Sequence, residues 1–395
     1  MNEYLSQRVR AMAASATLAM AAKAAELKAQ GVDIISLSLG EPDFSPPKHV
    51  LEAAHAALDG DYHKYTAVDG YPELKAAICR KFERENGLHY TPKQIVVSTG
   101  AKQCLANVAM CLVDEGDEVI IPAPYWVSYS DLIKLAGGTP IELKTSISTD
   151  FKITPAQLEA AITPRTKMIW LNSPCNPSGS VYSRSELEGI AAVLRQHPNI
   201  LICSDEIYEH IRFEGEHVSI ASLEGMYERT ITINGVSKAF AMTGWRIGYM
   251  AAPEWIAKAC TKMQGQITSG TNSIAQRATI AALDAPLEAI QYMIDEFQER
   301  RDLVLEGLSK IEGLRVNKPQ GAFYIFMDVS QFLGKTLHGR EIRTTDDMAM
   351  YLLEEARVAT VAGSAFGSDD CVRISYATSR ELLTEAVRRI AAALA

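Results

Sequence analysis

The stretch INGVSKAFAMTGWRIGY, residues 233–249, places two cations among small and apolar neighbours. Lys238 lies between Ser237 and Ala239, and Arg246 follows it eight residues later. Lysine and arginine are rarely fully buried unless another group pairs with them. Because Lys238 comes just after the apolar run TITIN, we expect its amine to lie beyond the end of a buried strand. Desolvation there would lower its pKa and make it a nucleophile, whereas a lysine in a surface loop is the simpler alternative.

Apolar runs that end in turn signals alternate with helical patterns through most of the chain before this stretch. The runs are QIVVSTG, DEVIIPAP, TKMIWLNSP, NILICSDE and RTITINGVSK. Strands that are buried on both faces and separated by helices indicate an α/β fold with a mainly parallel sheet. Ligands bind such sheets beyond the carboxyl ends of the strands, so the polar residues after each run are the candidate site. No G-x-G-x-x-G motif follows the first strand, which argues against a dinucleotide-binding enzyme.

The pattern changes after about residue 286, where a long charged helix, LEAIQYMIDEFQERRDLVLEGLSKI, begins. The segments GLRVN, GAFYIFMDV and CVRISYA then read as strands mixed with further helices. A chain of 395 residues is long for one compact unit. We therefore predict a large domain over residues 46–290 and a smaller α+β domain over residues 291–395. Residues 1–45 are expected to pack with the small domain.

Composition excludes several classes of protein. The net charge is −9 with no basic block, so neither a nucleic acid nor an anionic membrane is an expected partner. No apolar run approaches the ~20 residues that cross a bilayer. Seven cysteines without a C-x-x-C pair indicate free thiols in a reducing cytoplasm and no metal site. The run RVRAMAASATLAMAAKAA is too weakly apolar for a secretory signal.

The turn at Gly100, Ala101 and Lys102 joins a predicted strand to a helix in STGAKQCLANVAM. Backbone N–H groups at a helix start attract phosphate, and glycine permits a close backbone approach. A lysine in the first turn opposes the helix dipole, so Lys102 indicates either a solvated surface or a bound anion. Ser237 and Arg246 would complete the same phosphate site. The alternatives are an ordinary structural joint at the turn and a structural ion pair for Arg246.

Other candidate groups follow strands or lie on one. Asp205 in SDEIYEH suits a helix cap, a metal ligand or a partner for a ring nitrogen. Asn176 in WLNSPCNPSG fits either turn chemistry or an amide donor to a ligand. Trp126 in PYWVSY offers a stacking surface or belongs to the core. Arg373 in CVRISYA suits a carboxylate, which arginine binds by two parallel hydrogen bonds, or is an edge-strand charge.

The order of these features resembles the class I aminotransferases of fold type I, which depend on pyridoxal 5′-phosphate. The resemblance extends over nearly the whole chain and includes SATLAMAAKAAELKAQG, LGEPDFSPP, KYTAVDGYPELKAAI, SDEIYEHI, SKAFAMTGWRIGY and RISYATS. Within that class, the chain is similar to the aspartate aminotransferases found widely in bacteria. The resemblance implies a seven-stranded sheet in the large domain. It also implies a homodimer whose active sites lie at the subunit interface.

The resemblance further implies roles for single residues around the cofactor ring. Lys238 matches the lysine that bonds to the cofactor aldehyde, and Asp205 matches the acid that pairs with the pyridine nitrogen. Tyr208 and Asn176 match the donors to the phenolic oxygen of the ring. Trp126 matches the residue stacked on the ring, where it and Asn176 also border the substrate.

The same resemblance implies residues for the phosphate and for the substrate. The phosphate-site segment is matched by Gly100, Ala101, Lys102, Ser237 and Arg246. Tyr65, in KYTAVDGYPEL, matches a tyrosine that reaches the phosphate of the partner subunit. Gly40 and Arg373 match the groups that take the α-carboxylate of the substrate.

The resemblance leaves several amino-acid substrates open. Animal and enteric aspartate enzymes hold the distal carboxylate with an arginine, and TKMQGQITSGTNS, where it would be sought, contains none. The bacterial subgroup uses a lysine and a threonine instead, which Lys102 and Thr17 match. Amino transfer between L-aspartate and 2-oxoglutarate is thus the favoured activity. Prephenate amination, an aromatic aminotransferase and a carbon–sulfur lyase are alternatives, and a regulator domain is disfavoured because no basic recognition helix is present.

Overall fold

The computed structural model describes residues 4–12 and 14–395. The α-helices in chain order are α1 (Gln7–Ala11), α2 (Ala16–Ala29), α3 (Lys48–Asp59), α4 (Pro72–Asn86), α5 (Ala101–Leu112), α6 (Ser128–Leu135), α7 (Pro155–Ala161), α8 (Arg184–Gln196), α9 (Glu254–Ile267), α10 (Ser273–Asp284), α11 (Glu288–Leu308), α12 (Thr345–Glu354) and α13 (Arg380–Leu394). The strands are β1 (Ile35–Ser36), β2 (Ile95–Ser98), β3 (Glu118–Ala123), β4 (Thr139–Lys144), β5 (Thr166–Asn172), β6 (Leu201–Asp205), β7 (Thr230–Gly235), β8 (Gly248–Ala251), β9 (Tyr324–Asp328), β10 (Lys335–Leu337), β11 (Arg340–Ile342), β12 (Val358–Ala359), β13 (Val361–Ala362) and β14 (Cys371–Ser375).

Seven strands form the central sheet in the order β2-β8-β7-β6-β5-β3-β4. Only β8 runs antiparallel to its neighbours, which confirms the predicted mainly parallel sheet. The sheet is buried on both faces because successive apolar residues enter opposite cores. Trp170 packs in one core with α5 and α9, while its neighbour Ile169 packs in the other with α8. The carboxyl ends of β5, β6 and β7 therefore meet at one edge.

A smaller antiparallel sheet, in the order β13-β14-β9, lies with α11, α12 and α13 in the C-terminal part of the chain. The expected strand at GLRVN is wrong, since this segment makes only a single β-bridge, between Arg315 and Asp328. Two features prevent a longer ladder. Gly313 adopts φ +83° at the start of the segment, and Pro319 soon after it has no N–H to donate.

The N-terminal segment contacts the C-terminal elements. β1 pairs in parallel with β12, and Ala24 on α2 and Ile34 pack against Leu353 and Ala359. The packing of residues 1–45 with a small domain stays a prediction, and residues 1–3 and 13 of that segment lie outside the described part. The domain boundaries at residues 45 and 290 stay a prediction. Within the described ranges, the helices lack the combination of length and apolarity that a bilayer crossing needs.

Candidate active site

A cavity of about 260 Å³ opens where the parallel strands end. Its walls come from the ends of β5, β6 and β7, the start of α5, the segment before α6, strand β14 and the N-terminal segment. The residues that line it are Ser15, Thr17, Leu18, Gly40, Ala101, Lys102, Trp126, Val127, Ser128, Asn172, Asn176, Asp205, Ile207, Tyr208, Ser237, Lys238, Thr243, Arg246, Tyr324 and Arg373. The cavity thus gathers groups that are far apart in the sequence.

Lys238 follows β7 and directs its amine into this cavity. Its Nζ donates to the carbonyl of Gly40 at 2.6 Å and lies 5.8 Å from the ring centre of Tyr208. Burial lowers the pKa of Lys238 to about 8, and the positive charge of Arg373 contributes to the shift. A substantial fraction of the amine is therefore neutral near physiological pH, as a nucleophile or base requires.

Asp205 ends β6, the strand next to β7, and is buried. Its Oδ2 accepts a 2.6 Å hydrogen bond from the Tyr129 hydroxyl, and its Oδ1 accepts from the backbone N–H of Ile207 at 3.3 Å. Burial raises the pKa of Asp205 to about 6, although the Tyr129 hydrogen bond acts in the opposite direction. Residues after Asp205 form turns instead of a helix, so it is not the helix cap considered from sequence.

Arg373, on β14, is buried and reaches the cavity from the small sheet. Its Nη1 donates to Oδ1 of Asn176 at 2.9 Å, and its Nη2 donates to the carbonyl of Ser38 at 2.5 Å. Its buried Nε has no hydrogen-bond partner in the described chain. Because Asn176 accepts through Oδ1, its amide NH₂ is left for a ligand. Tyr208 and Tyr324 complete this side of the cavity through a 2.8 Å bond between their hydroxyls.

The start of α5 forms a cationic end of the cavity. Gly100 has φ +85°, and a Cβ there would lie 2.5 Å from Nη2 of Arg246, so the position requires glycine. Arg246 also donates to the carbonyl of Thr243 at 2.7 Å. Burial and the nearby Arg246 charge lower the pKa of Lys102. Two cations thus converge on the helix N-terminus, where the backbone dipole already favours an anion.

Trp126 lies between this end and Asp205. The Lys102 amine lies 4.8 Å from the Trp126 ring centre, and the ring packs edge-on against Tyr129 with centroids 5.7 Å apart. Trp126 also lines the cavity, and its indole offers a flat surface of the kind on which planar ligands stack.

The cavity has a strong excess of positive charge. Among the described residues, none of the cations Lys102, Lys238, Arg246 and Arg373 forms a salt bridge. Asp205 is the only carboxylate in the lining set. Four cations with a single acid constitute a receptor for a ligand that carries several negative charges.

The structure brings together nearly all the residues singled out from the sequence. Thr17 and Gly40 line the cavity together with the residues at the strand ends. Gly100 directly precedes Ala101, the first residue of α5, which also lines the cavity. Tyr65 does not line the cavity of its own chain and is 100% exposed. Sequence analysis missed Tyr129 and Tyr324. Neither carries a local signal, because each meets its partner only through packing of distant segments.

A mainly parallel sheet whose strand ends place a lysine and an acid in one cation-rich cavity is the arrangement found in transferases of fold type I. Comparison with known proteins specifies the class further. The model of the aminotransferase class I and II family matches residues 32–390. The chain belongs to this family and is an aminotransferase.

Relatives of known name extend over almost the full chain. An aspartate/prephenate aminotransferase of Cereibacter sphaeroides is 51% identical, covering 98% of this chain and 98% of its own. The structure of the aspartate aminotransferase from Rhizobium meliloti superimposes with a TM-score of 0.96 at 48% identity, covering 99% and 98% of the two chains. The structure of the Thermus thermophilus aspartate aminotransferase with maleate superimposes with a TM-score of 0.92 at 45% identity, covering 99% of each chain.

Proposed function

We propose that this aminotransferase uses pyridoxal 5′-phosphate to transfer the amino group of L-aspartate to 2-oxoglutarate, giving oxaloacetate and L-glutamate. The observation that carries the proposal is the set of four cations without salt bridges around one acid. A phosphorylated cofactor and a dicarboxylic substrate together supply the negative charges that this cavity lacks. The names of the relatives, aspartate aminotransferase and aspartate/prephenate aminotransferase, support the same activity.

The residues present fit the cofactor. The steric requirement for glycine at position 100 and the cations Lys102 and Arg246 suit a phosphate, with Ala101 and Ser237 beside them. The face of Trp126 suits a flat ring. Asp205, as a carboxylate, suits a protonated pyridine nitrogen, and Tyr208 and the free Asn176 amide suit the phenolic oxygen.

When bound, the cofactor supplies an electron sink for the charge that develops as the substrate loses its α-proton. The protein residues hold the participants in place around it. Arg373, which lines the cavity together with Gly40, binds the α-carboxylate through its guanidinium group. The Lys238 amine is the base that accepts the α-proton, since its pKa of about 8 leaves part of it neutral. Amino donor and acceptor use the same cavity in turn, so the kinetics are ping-pong.

Specificity for a second carboxylate is assigned to Lys102 and Thr17. Both line the cavity, Lys102 from α5 and Thr17 from α2. The lowered pKa of Lys102 reflects a partly desolvated amine near another cation, and a substrate carboxylate would relieve that repulsion. Prephenate, a second dicarboxylate, meets the same requirement and is the alternative acceptor. An aromatic aminotransferase or a carbon–sulfur lyase on this fold would not require the cation.

Replacing Lys102 with alanine tests this assignment. We expect kcat/KM for aspartate to fall at least tenfold more than kcat/KM for phenylalanine, because only aspartate has a distal carboxylate; loss of one charged contact is worth about 1.5–3 kcal/mol. Steady-state assays with 2-oxoglutarate as acceptor provide the measurement. Lys134→Ala, which removes an exposed lysine of α6, is the matched control and should change neither value. Equal losses with both donors would contradict the role of Lys102.

The aminotransferase is further proposed to be a cytoplasmic homodimer with shared active sites. Full exposure of Tyr65 supports the dimer, because a tyrosine that reaches a partner's phosphate must project from its own subunit. Seven free cysteines support a reducing compartment.

A further inference from the structure

Helices α5 and α9 pack side by side, and two polar contacts join α5 to α9 and to Thr268, the residue that caps its C-terminus. Gln103 donates to the hydroxyl of Thr268 at 2.6 Å, and Asn107 donates to Oε1 of Gln264 at 3.1 Å. A step of four residues forward along α5 thus corresponds to a step of four backward along α9. Such steps are about one helical turn, so the two helices run antiparallel in register.

The next step in this register places Cys111 opposite Cys260. Cys260 is buried, whereas Cys111 is partly exposed. Both side chains pack in the core on this side of the sheet, Cys260 within it and Cys111 at its edge. The interaction between the two thiols lowers the pKa of Cys111 and raises the pKa of Cys260, which burial raises further. The pair therefore consists of an accessible sulfur that ionises more readily and an inner thiol that stays protonated.

We propose that Cys111 and Cys260 form a redox-sensitive dithiol, which hydrogen peroxide or a related two-electron oxidant converts into an intrachain disulfide between α5 and α9. The Cys111 thiolate attacks one peroxide oxygen, the O–O bond breaks, and hydroxide leaves, which gives a sulfenic acid. The Cys260 sulfur then attacks the Cys111 sulfur, and its proton leaves with the hydroxyl group as water. In total, two thiols are oxidised and one peroxide is reduced to two waters.

None of the other five cysteines combines a partly exposed thiol with a lowered pKa. Cys79, the other partly exposed thiol, has its pKa raised by burial. Cys104, Cys175, Cys203 and Cys371 are buried, and burial raises the pKa of all four thiols. A diffusing oxidant should therefore react first at Cys111.

The bond would form at the end of α5 that is remote from the active site. Cys111 lies nine positions after Lys102, a distance of about 13 Å along a helix. We therefore expect oxidation to leave transamination nearly unchanged. The physical effect would be to fix α5 against α9 and to raise the thermal midpoint of unfolding, since a cross-link restricts the unfolded chain.

The test is to treat the purified holoenzyme with substoichiometric to equimolar hydrogen peroxide, block free thiols by alkylation and map peptides without reduction. We expect one cross-linked pair containing Cys111 and Cys260, reversed by dithiothreitol. Titration in denaturant should then detect five thiols instead of the seven in the sequence. This measurement uses the wild-type chain and so does not depend on whether a variant folds.

Three variants refine the test. Cys79→Ser is the control and should form the same cross-link at the same rate. Cys111→Ser should abolish peroxide consumption at this pair, and Cys260→Ser should leave Cys111 as a sulfenic acid that dimedone labels. The proposal would be overturned if wild-type protein gave no such cross-link, or if Cys79 reacted as fast as Cys111.

Discussion

A hydrogen bond stabilises the charged form of Asp205 in its buried position, and its donor is a residue that does not line the cavity. The Tyr129 hydroxyl, on α6, donates this bond at 2.6 Å. Tyr129 is itself held between two indoles, with ring centroids 5.7 Å from Trp126 and 5.3 Å from Trp170. The phenol has little freedom to turn away. We infer that Tyr129 is a positioning residue, which acts on the cofactor site through Asp205.

Replacing Tyr129 with phenylalanine should make Asp205 harder to ionise. The pKa of Asp205, already about 6, would rise because the carboxylate loses a donor. A hydrogen bond to a charged group is worth about 1.5–3 kcal/mol, or roughly one to two pH units. Asp205 is charged mainly above its pKa, and cofactor binding should weaken once it is protonated. The acid limb of the curve of cofactor affinity against pH should therefore move to higher pH. Cofactor dissociation constants measured from pH 5 to 9 provide the check.

Tyr125→Phe is the matched control for this change. The Tyr125 hydroxyl also donates a 2.6 Å hydrogen bond to a carboxylate, that of Glu142, from the same segment. Its loss should affect stability without moving the acid limb. An unchanged limb in Tyr129→Phe would contradict the positioning role.

Sequence analysis predicted the acid but not the phenol that supports it. Asp205 was predictable because it ends an apolar strand, where parallel sheets collect polar groups. Tyr129 lies 76 residues away along the chain, and only the packing of α6 against the strand ends brings the two together.

At the scale of elements, a buried ion pair anchors the segment after β6 to α4. The Lys81 amine is fully buried and contacts Glu209, Asn86 and Glu85. Burial would raise the pKa of Glu209, but Lys81 and two neighbouring histidines outweigh it and lower the pKa. Glu209 directly follows Tyr208, so this pair supports one wall of the active site from behind.

Lys81→Met should destabilise the protein strongly, because it leaves the buried Glu209 charge without its partner. The expected loss is about 3–5 kcal/mol, measured by urea unfolding at pH 7. The exposed pair Lys64–Asp61 gives the control, as Lys64→Met should cost less than about 1 kcal/mol. The pKa of Glu209 is lower in the folded protein than the ordinary glutamate value of about 4.3. The stabilisation that the Lys81–Glu209 pair gives the wild-type protein is therefore fully present above about pH 4.3 and is lost as the pH falls below that value. Similar losses in both variants would refute this role of the pair.

The types of elements were more predictable than their ends. Apolar runs flanked by turns identified five of the seven strands of the large sheet, namely β2, β3, β5, β6 and β7, because burial on both faces leaves a clear pattern. The runs did not identify β8 or the edge strand β4, whose residues are partly exposed. GLRVN has the composition of a strand, yet its neighbouring glycine and proline geometry limits it to one bridge. Local composition does not report whether a partner strand is within reach.

For the whole molecule, the cofactor site is proposed to need two chains. Tyr65 is exposed and is not among the residues that line the cavity of its own subunit. Neither sequence pattern nor a single chain reveals what covers such a residue. The Tyr65 assignment therefore depends on the resemblance to the family.

Mixing two deficient variants tests this arrangement. Tyr65→Ala should weaken cofactor binding in both sites of its dimer, and Lys238→Ala should abolish turnover. After subunit exchange, random pairing gives hybrids in which one site has both Lys238 and the partner's intact tyrosine. About a quarter of the wild-type activity should return at limiting cofactor. Size-exclusion chromatography of each variant alone verifies that it still dimerises, and activity no greater than the sum of the parents would contradict a shared site.

The central claim is that the Lys238 amine bonds to the cofactor aldehyde. Reduction of the purified holoenzyme with borohydride, followed by peptide mapping, tests it most directly. We predict loss of the visible absorbance band and one pyridoxyl group per chain, on the peptide that contains Lys238. A label on another lysine such as Lys102, or no label on protein that retains bound cofactor, would contradict the account.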